Sequence, residues 1–136
     1  MDIKQAFHRA GLAKIDLGPG FVCVVRDDVI SFPDNEEDRK RHPSRTIIVM
    51  SNDLLCADLA TPLVTVAPTS SQLKWKNKTE VVIRKSDTNG LEHDSRVMLA
   101  HLQPIIKTDV ERKIGELSWD DWERIMEQIV KNFDRA

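Results

Sequence analysis

Two apolar runs in this chain end in residues able to do polar chemistry. The first reads Ser44-Arg45-Thr46-Ile47-Ile48-Val49-Met50-Ser51-Asn52-Asp53, and the second Val64-Thr65-Val66-Ala67-Pro68-Thr69-Ser70-Ser71-Gln72. A guanidinium stays cationic and meets a phosphate or carboxylate with a planar fork of donors. Serine and threonine hydroxyls can bond an anionic oxygen but are poor bases by themselves. A histidine titrates near neutrality and can carry a proton; the chain has His8, His42, His93 and His101. As residue types alone, all of these have plainer uses. An arginine at a strand start is most often a solvated charge, and hydroxyls at a strand end cap turns. Arg39-Lys40-Arg41 is ordinarily a solvated run of charge.

Metal chemistry has little support in the spacing. The histidines show no ligand motif, and Cys23 and Cys56 are far apart with no CxxC. A zinc site needs more ligands than these supply. No metal or cofactor is expected, and both cysteines read as free thiols buried in apolar surroundings in a reducing cytosol.

These residues have to be positioned by a chain of 136 residues, enough for one domain with one core. It is 40% hydrophobic and 31% charged, a globular composition rather than a disordered one. The formal net charge of −2 argues mildly against a nucleic-acid partner. The charge is uneven, however: the acidic stretch from Asp34 to Asp38 is followed at once by Arg39-Lys40-Arg41, and local potential matters more than the sum. The N-terminus has no apolar core of signal-peptide length, and no run approaches the roughly 18 apolar residues of a membrane span. A cytoplasmic protein is the expectation.

Ile3, Ala6, Phe7, Ala10 and Leu12 fall at roughly helical spacing, so a short amphipathic helix is expected over about 3–14. Gly18-Pro19-Gly20 marks a turn, and Phe21 to Val25 has the β-branched content of a strand. Val29 to Phe32 can continue a hairpin. The segment 33–44 is polar, has proline at 33 and 43, and reads as a long surface loop. The apolar runs at 46–50 and 63–67 suit central strands buried on both faces. A further strand is expected over 78–84, a turn at Asn89-Gly90, and one or two strands over 96–106, where Pro104 limits the ladder. Ser118-Trp119-Asp120-Asp121 opens a helix whose apolar face carries Trp122, Ile125, Met126, Ile129, Val130 and Phe133. Trp119 and Trp122 read as helix-packing residues. Several strands followed by one helix predict a small β-barrel-like α+β domain.

A third segment joins the two apolar runs: Asp94-Ser95-Arg96-Val97-Met98-Leu99-Ala100-His101-Leu102-Gln103-Pro104, reaching Lys113-Ile114-Gly115-Glu116-Leu117-Ser118. In this order the three resemble the PemK/MazF family of toxin endoribonucleases from type II toxin–antitoxin pairs. The resemblance spans roughly residues 19–132. It implies an α+β fold, a small SH3-like or CcdB-like β-barrel with a C-terminal helix, here with an extra N-terminal helix. One toxin domain then covers 1–136, with 1–17 as the helical extension.

By the same resemblance, Ser51-Asn52-Asp53 puts Arg45 at the family's catalytic arginine, and Val66-Ala67-Pro68 puts Ser70 at its catalytic hydroxyl, with Thr69 as runner-up. Thr46 stands where the family has proline, Ala100 and His101 where many members have Asp-Gln, and Gln103 where arginine is common. The implied activity is metal-independent, sequence-selective cleavage of single-stranded RNA, leaving 2′,3′-cyclic phosphate and 5′-hydroxyl ends. Arg39, Lys40, Arg41, Gln72, Trp75 and His101 are the implied RNA contacts. Trp75 could stack on a base or plug the barrel rim, and His101 could shuttle a proton or be a satisfied strand residue. A cognate antitoxin and a homodimer are the implied partners. The rival readings are a CcdB-like module of the same fold that poisons gyrase, and a non-catalytic descendant used for interaction alone.

Overall fold

The computed structural model describes residues 16–32 and 42–135. The N-terminal helix expected over 3–14 and the cations Arg39, Lys40 and Arg41 lie outside the described residues.

Among the described residues, seven strands and two α-helices follow in order: β1 (Phe21–Arg26), β2 (Ser44–Val49), α1 (Asp53–Ala57), β3 (Leu63–Ser70), β4 (Val81–Ile83), β5 (Ser95–Val97), β6 (Gln103–Ile106), β7 (Val110–Glu116) and α2 (Trp119–Asn132). All pairings are antiparallel, in the order β4-β5-β3-β2-β1-β7. β3 is the hub. One edge holds β2; the other holds β6 along Leu63–Val66 and passes to β5 at Thr69 and Ser70. β4 and β7 end the path without pairing to each other, so the sheet stays open where the sequence suggested a barrel.

The pleat sends successive side chains to opposite faces, and both faces are covered. Cys23, Val25, Ile47, Val49, Val64 and Val66 form one core with Ile30, Cys56, Ile105 and Val110. Val22, Ile48 and Ala67 face the other way, onto Ile83, Val97, Leu99 and Ile125. Burial on both faces is why β1, β2 and β3 read as continuous apolar runs. The 3-10 turn at Asp27–Val29 ends β1, so Val29 to Phe32 does not extend the hairpin. The strand expected over 78–84 shrinks to β4. β7 escaped the sequence reading because it is a charged edge strand: Glu111, Arg112 and Lys113 are exposed and only Val110 is buried.

α1 also escaped, being five residues long. Asn52 caps it, accepting from Leu55 N at 2.9 Å. The buried Lys107 closes its other end, donating from Nζ to Leu55 O at 2.8 Å and Asp58 O at 2.9 Å. α2 starts as expected, with Ser118 Oγ accepting from Asp121 N at 3.2 Å. Only Ile125 of its apolar residues is fully buried, and Trp122 and Ile129 are half-buried. Trp119 is 71% exposed and bonds Glu123 instead of packing, and Met126, Val130 and Phe133 also face outward. No helix among the described residues is long and apolar enough to cross a membrane.

Candidate active site at the Arg45 end of the sheet

Arg45 pairs with Val25 across β1 and β2, so its side chain leaves the sheet on the face of Val25, Ile47 and Val49. Asp27, two residues beyond Val25, meets it there. Arg45 Nε donates to Asp27 Oδ1 at 3.0 Å, and Nη1 donates to the Thr69 carbonyl at 3.0 Å. The Phe32 ring lies against the guanidinium, 4.5 Å from Cζ to the ring centroid. The Arg45 and Asp27 side chains are 11% and 10% exposed. This is a fixed, nearly enclosed cation at the rim of the core, not the solvated charge that a strand-start arginine usually is.

The two candidate hydroxyls part company. The β2–β3 register pairs Ile47 with Pro68 and Ile48 with Ala67. Alternation along β3 puts Ser70 on the face of Val66, the one by which Arg45 leaves the sheet, and turns Thr69 to the face of Ala67. Thr69 is buried, and its Oγ1 donates to the Thr46 carbonyl at 3.0 Å. Ser70 is half-buried, and its Oγ accepts from Gln72 N at 3.2 Å.

A second arginine flanks Ser70. Arg96 is its ladder partner on β5. It is buried, with Nη1 donating to Glu80 Oε2 at 2.8 Å and Nε to the Gln72 carbonyl at 3.1 Å. Sequence reasoning passed over Asp27, Glu80 and Arg96. Their partners are 16 or more residues away in sequence, so only the strand pairing reveals them.

His101 joins the group through Phe32, with ring centroids 6.2 Å apart and planes at 55°. Gln103 holds the Ser31-Phe32 stretch. Its Oε1 accepts from Ser31 N at 2.9 Å, and its Nε2 donates to the carbonyls of Ser31 at 3.1 Å and His101 at 3.0 Å. This glutamine is thus a backbone clamp. Gln72 and Trp75 lie on the exposed connection between β3 and β4. Trp75 is 62% exposed with Lys74 Nζ 5.4 Å from its ring, so it plugs nothing. Arg45, Ser70, Thr69 and His101 are therefore gathered at one end of the sheet, and Gln72 is tied to it through Arg96.

The cysteines take no part. Both are free and buried. Burial pushes the Cys23 thiol up to about 12, and burial also raises Cys56. Neither offers a thiolate nucleophile near neutrality. Among the described residues, no three His, Cys, Asp or Glu side chains form a group able to hold a metal ion. The site offers a directed guanidinium beside a hydroxyl, a set suited to an anionic oxygen such as a phosphate.

Against known families, residues 28–133 match the model described as the PemK-like, MazF-like toxin of type II toxin–antitoxin systems. No curated protein matches the chain significantly in sequence. Among solved structures, the Mycobacterium tuberculosis toxin MazF-mt6 is similar, with a TM-score of 0.64 and 23% identity over 85% of this chain and 98% of that one. The MazE–MazF structure (form II) from Deinococcus radiodurans has a TM-score of 0.65 and 14% identity, covering 90% of this chain and 100% of that one. An endoribonuclease in complex with its cognate antitoxin, from a mycobacterial species, has a TM-score of 0.64 and 13% identity over 88% and 99% of the two chains.

Proposed function

The chain belongs to the PemK-like, MazF-like toxin family of type II toxin–antitoxin systems, and we propose that it is a metal-independent, sequence-selective endoribonuclease that cuts single-stranded RNA. The observation that carries this reading is Arg45, held by Asp27 and the Thr69 carbonyl at the start of β2, next to the strand β3 that ends in Ser70. The 2′-hydroxyl attacks the adjacent phosphorus and the 5′-oxygen leaves, giving a 2′,3′-cyclic phosphate and a 5′-hydroxyl. Negative charge gathers on the non-bridging oxygens in the transition state, where a preorganised cation is worth most. Arg45 meets that charge, and Ser70 donates a further hydrogen bond. Thr69 is the lesser candidate, since its hydroxyl is already spent on the Thr46 carbonyl. His101, across the Phe32 ring from Arg45, is our candidate to pass the proton from the 2′-oxygen to the leaving 5′-oxygen. Gln72, Trp75 and Arg39-Lys40-Arg41 contact RNA beyond the scissile bond. The working form is a homodimer, silenced by a cognate antitoxin that lays a flexible acidic segment over it.

The test is incubation of the purified chain with single-stranded RNA in excess EDTA. The expected products end in 2′,3′-cyclic phosphate and 5′-hydroxyl. Cleavage that EDTA abolishes and a divalent ion restores overturns the metal-free mechanism. Intact RNA under all conditions favours the non-catalytic or gyrase-poisoning readings.

A further inference from the structure

Arg45 is oriented by a residue that the family resemblance did not nominate. We propose that Asp27, with Phe32, is a positioning residue for RNA cleavage: it fixes the plane and reach of the Arg45 guanidinium so that the cation meets the developing phosphorane. This inference rests on the ribonuclease reading above.

Among the described residues, three segments contact the Arg45 side chain. Asp27, in the turn after β1, takes Arg45 Nε at 3.0 Å. The Thr69 carbonyl on β3 takes Nη1 at 3.0 Å and ties the guanidinium to the strand that carries Ser70. Phe32 lies against its face at 4.5 Å. A long side chain held in this way has given up its rotamer freedom during folding, so it reorganises little at the moment of reaction.

The charge arithmetic points the same way. Asp27 and Arg45 are net neutral as a pair, so they add little long-range attraction for RNA. What remains is direction: hydrogen bonds that strengthen as the phosphorane gains charge. Interactions made chiefly in the transition state raise kcat more than they lower KM. The chain also carries its own control. Asp28, the next residue, is 75% exposed and pairs with the exposed Arg26 at 3.2 Å.

The experiment compares the wild type with D27N, D27E, D28N and R45A on one RNA at low temperature. D27N should lower kcat about 10- to 100-fold, the scale of a misplaced catalytic group, with KM within about twofold. D27E should restore part of the loss, and D28N should match the wild type. An independent readout is the Arg45 Nε–Hε signal in a 15N spectrum, assigned by its loss in R45K. It should exchange slowly with water in the wild type and fast in D27N. If D27N does not fold, D27E and the wild-type signal still decide. Overturning results are a folded D27N with near-wild-type kcat, fast Hε exchange in the wild type, or loss of the acidic limb of the kcat profile in D27N, which would make Asp27 the proton acceptor. If the wild type leaves RNA intact, or R45A cuts like the wild type, the ribonuclease reading fails and takes this inference with it. If both behave as expected and D27N is unchanged, the positioning role alone fails.

Discussion

At the scale of single residues, the sequence left Ser70 and Thr69 one position apart, and the pleat of β3 separates them. Thr69 spends its hydroxyl on the Thr46 carbonyl inside the structure, while half-buried Ser70 accepts from the Gln72 amide. The Ser70 hydroxyl proton is therefore available for an anionic oxygen, and the bond is stronger when that oxygen is charged. Ser70→Ala should lower single-turnover cleavage by about tenfold or more, with little change in melting temperature. Thr69→Ala should do the opposite, removing a buried hydrogen bond worth about 1 kcal/mol and leaving the Thr46 carbonyl without that donor. Cleavage time courses and thermal melts on both variants decide it. The reverse ranking would move the site to Thr69, and two small effects on cleavage would favour a non-catalytic domain.

At the scale of elements, legibility followed burial. β1, β2 and β3 are buried on both faces and showed themselves as apolar runs; α2 showed itself through Ser118 and its periodic face. β7 did not, because an edge strand with one solvent face has no need of apolar residues at 111–113. The Arg45 position was legible only through the Ser51-Asn52-Asp53 register, and Asp27 not at all, because adjacent Asp27 and Asp28 look alike until the turn at 27–29 puts one inside. β1 also makes a testable claim through Cys23. Its thiol keeps its proton to about pH 12 when folded, against 9.0 in the ordinary range. Between those values the unfolded chain binds fewer protons, so stability is full below about pH 9 and falls as pH rises toward 12. Cys23→Ala removes the titrating thiol and leaves a small cavity. It should melt lower than the wild type at pH 8, and the gap should narrow between pH 9 and 11. Parallel melting curves across that range would mean that the thiol is hydrated in the folded state.

At the scale of the whole molecule, the proposed activity asks a chain of net charge −2 to hold a polyanion. Its two best-placed arginines contribute little long-range attraction, since Asp27 neutralises Arg45 and Glu80 neutralises Arg96 at the same end of the sheet. Attraction must come from cations outside those pairs. The connection from β3 to β4 supplies Lys74, Lys76 and Lys78, all exposed, with the exposed Trp75 among them. Arg96 ties the start of this connection to the site by holding the Gln72 carbonyl. Alternating cations around an exposed aromatic suit a single strand, whose phosphates can be neutralised while a base stacks. Each phosphate contact made by a cation contributes about 0.7 to the slope of log affinity against log salt for a single strand. Replacing Lys74, Lys76 and Lys78 by glutamine should therefore flatten that slope by about 2 and raise KM at low salt, while the rate at saturating RNA falls far less. The measurement is KM on one short RNA from low to physiological salt, for the wild type and the triple variant. An unchanged slope would take the RNA path away from this connection. A collapse in the saturated rate with an unchanged slope would mean that the lysines hold the site together instead of the substrate.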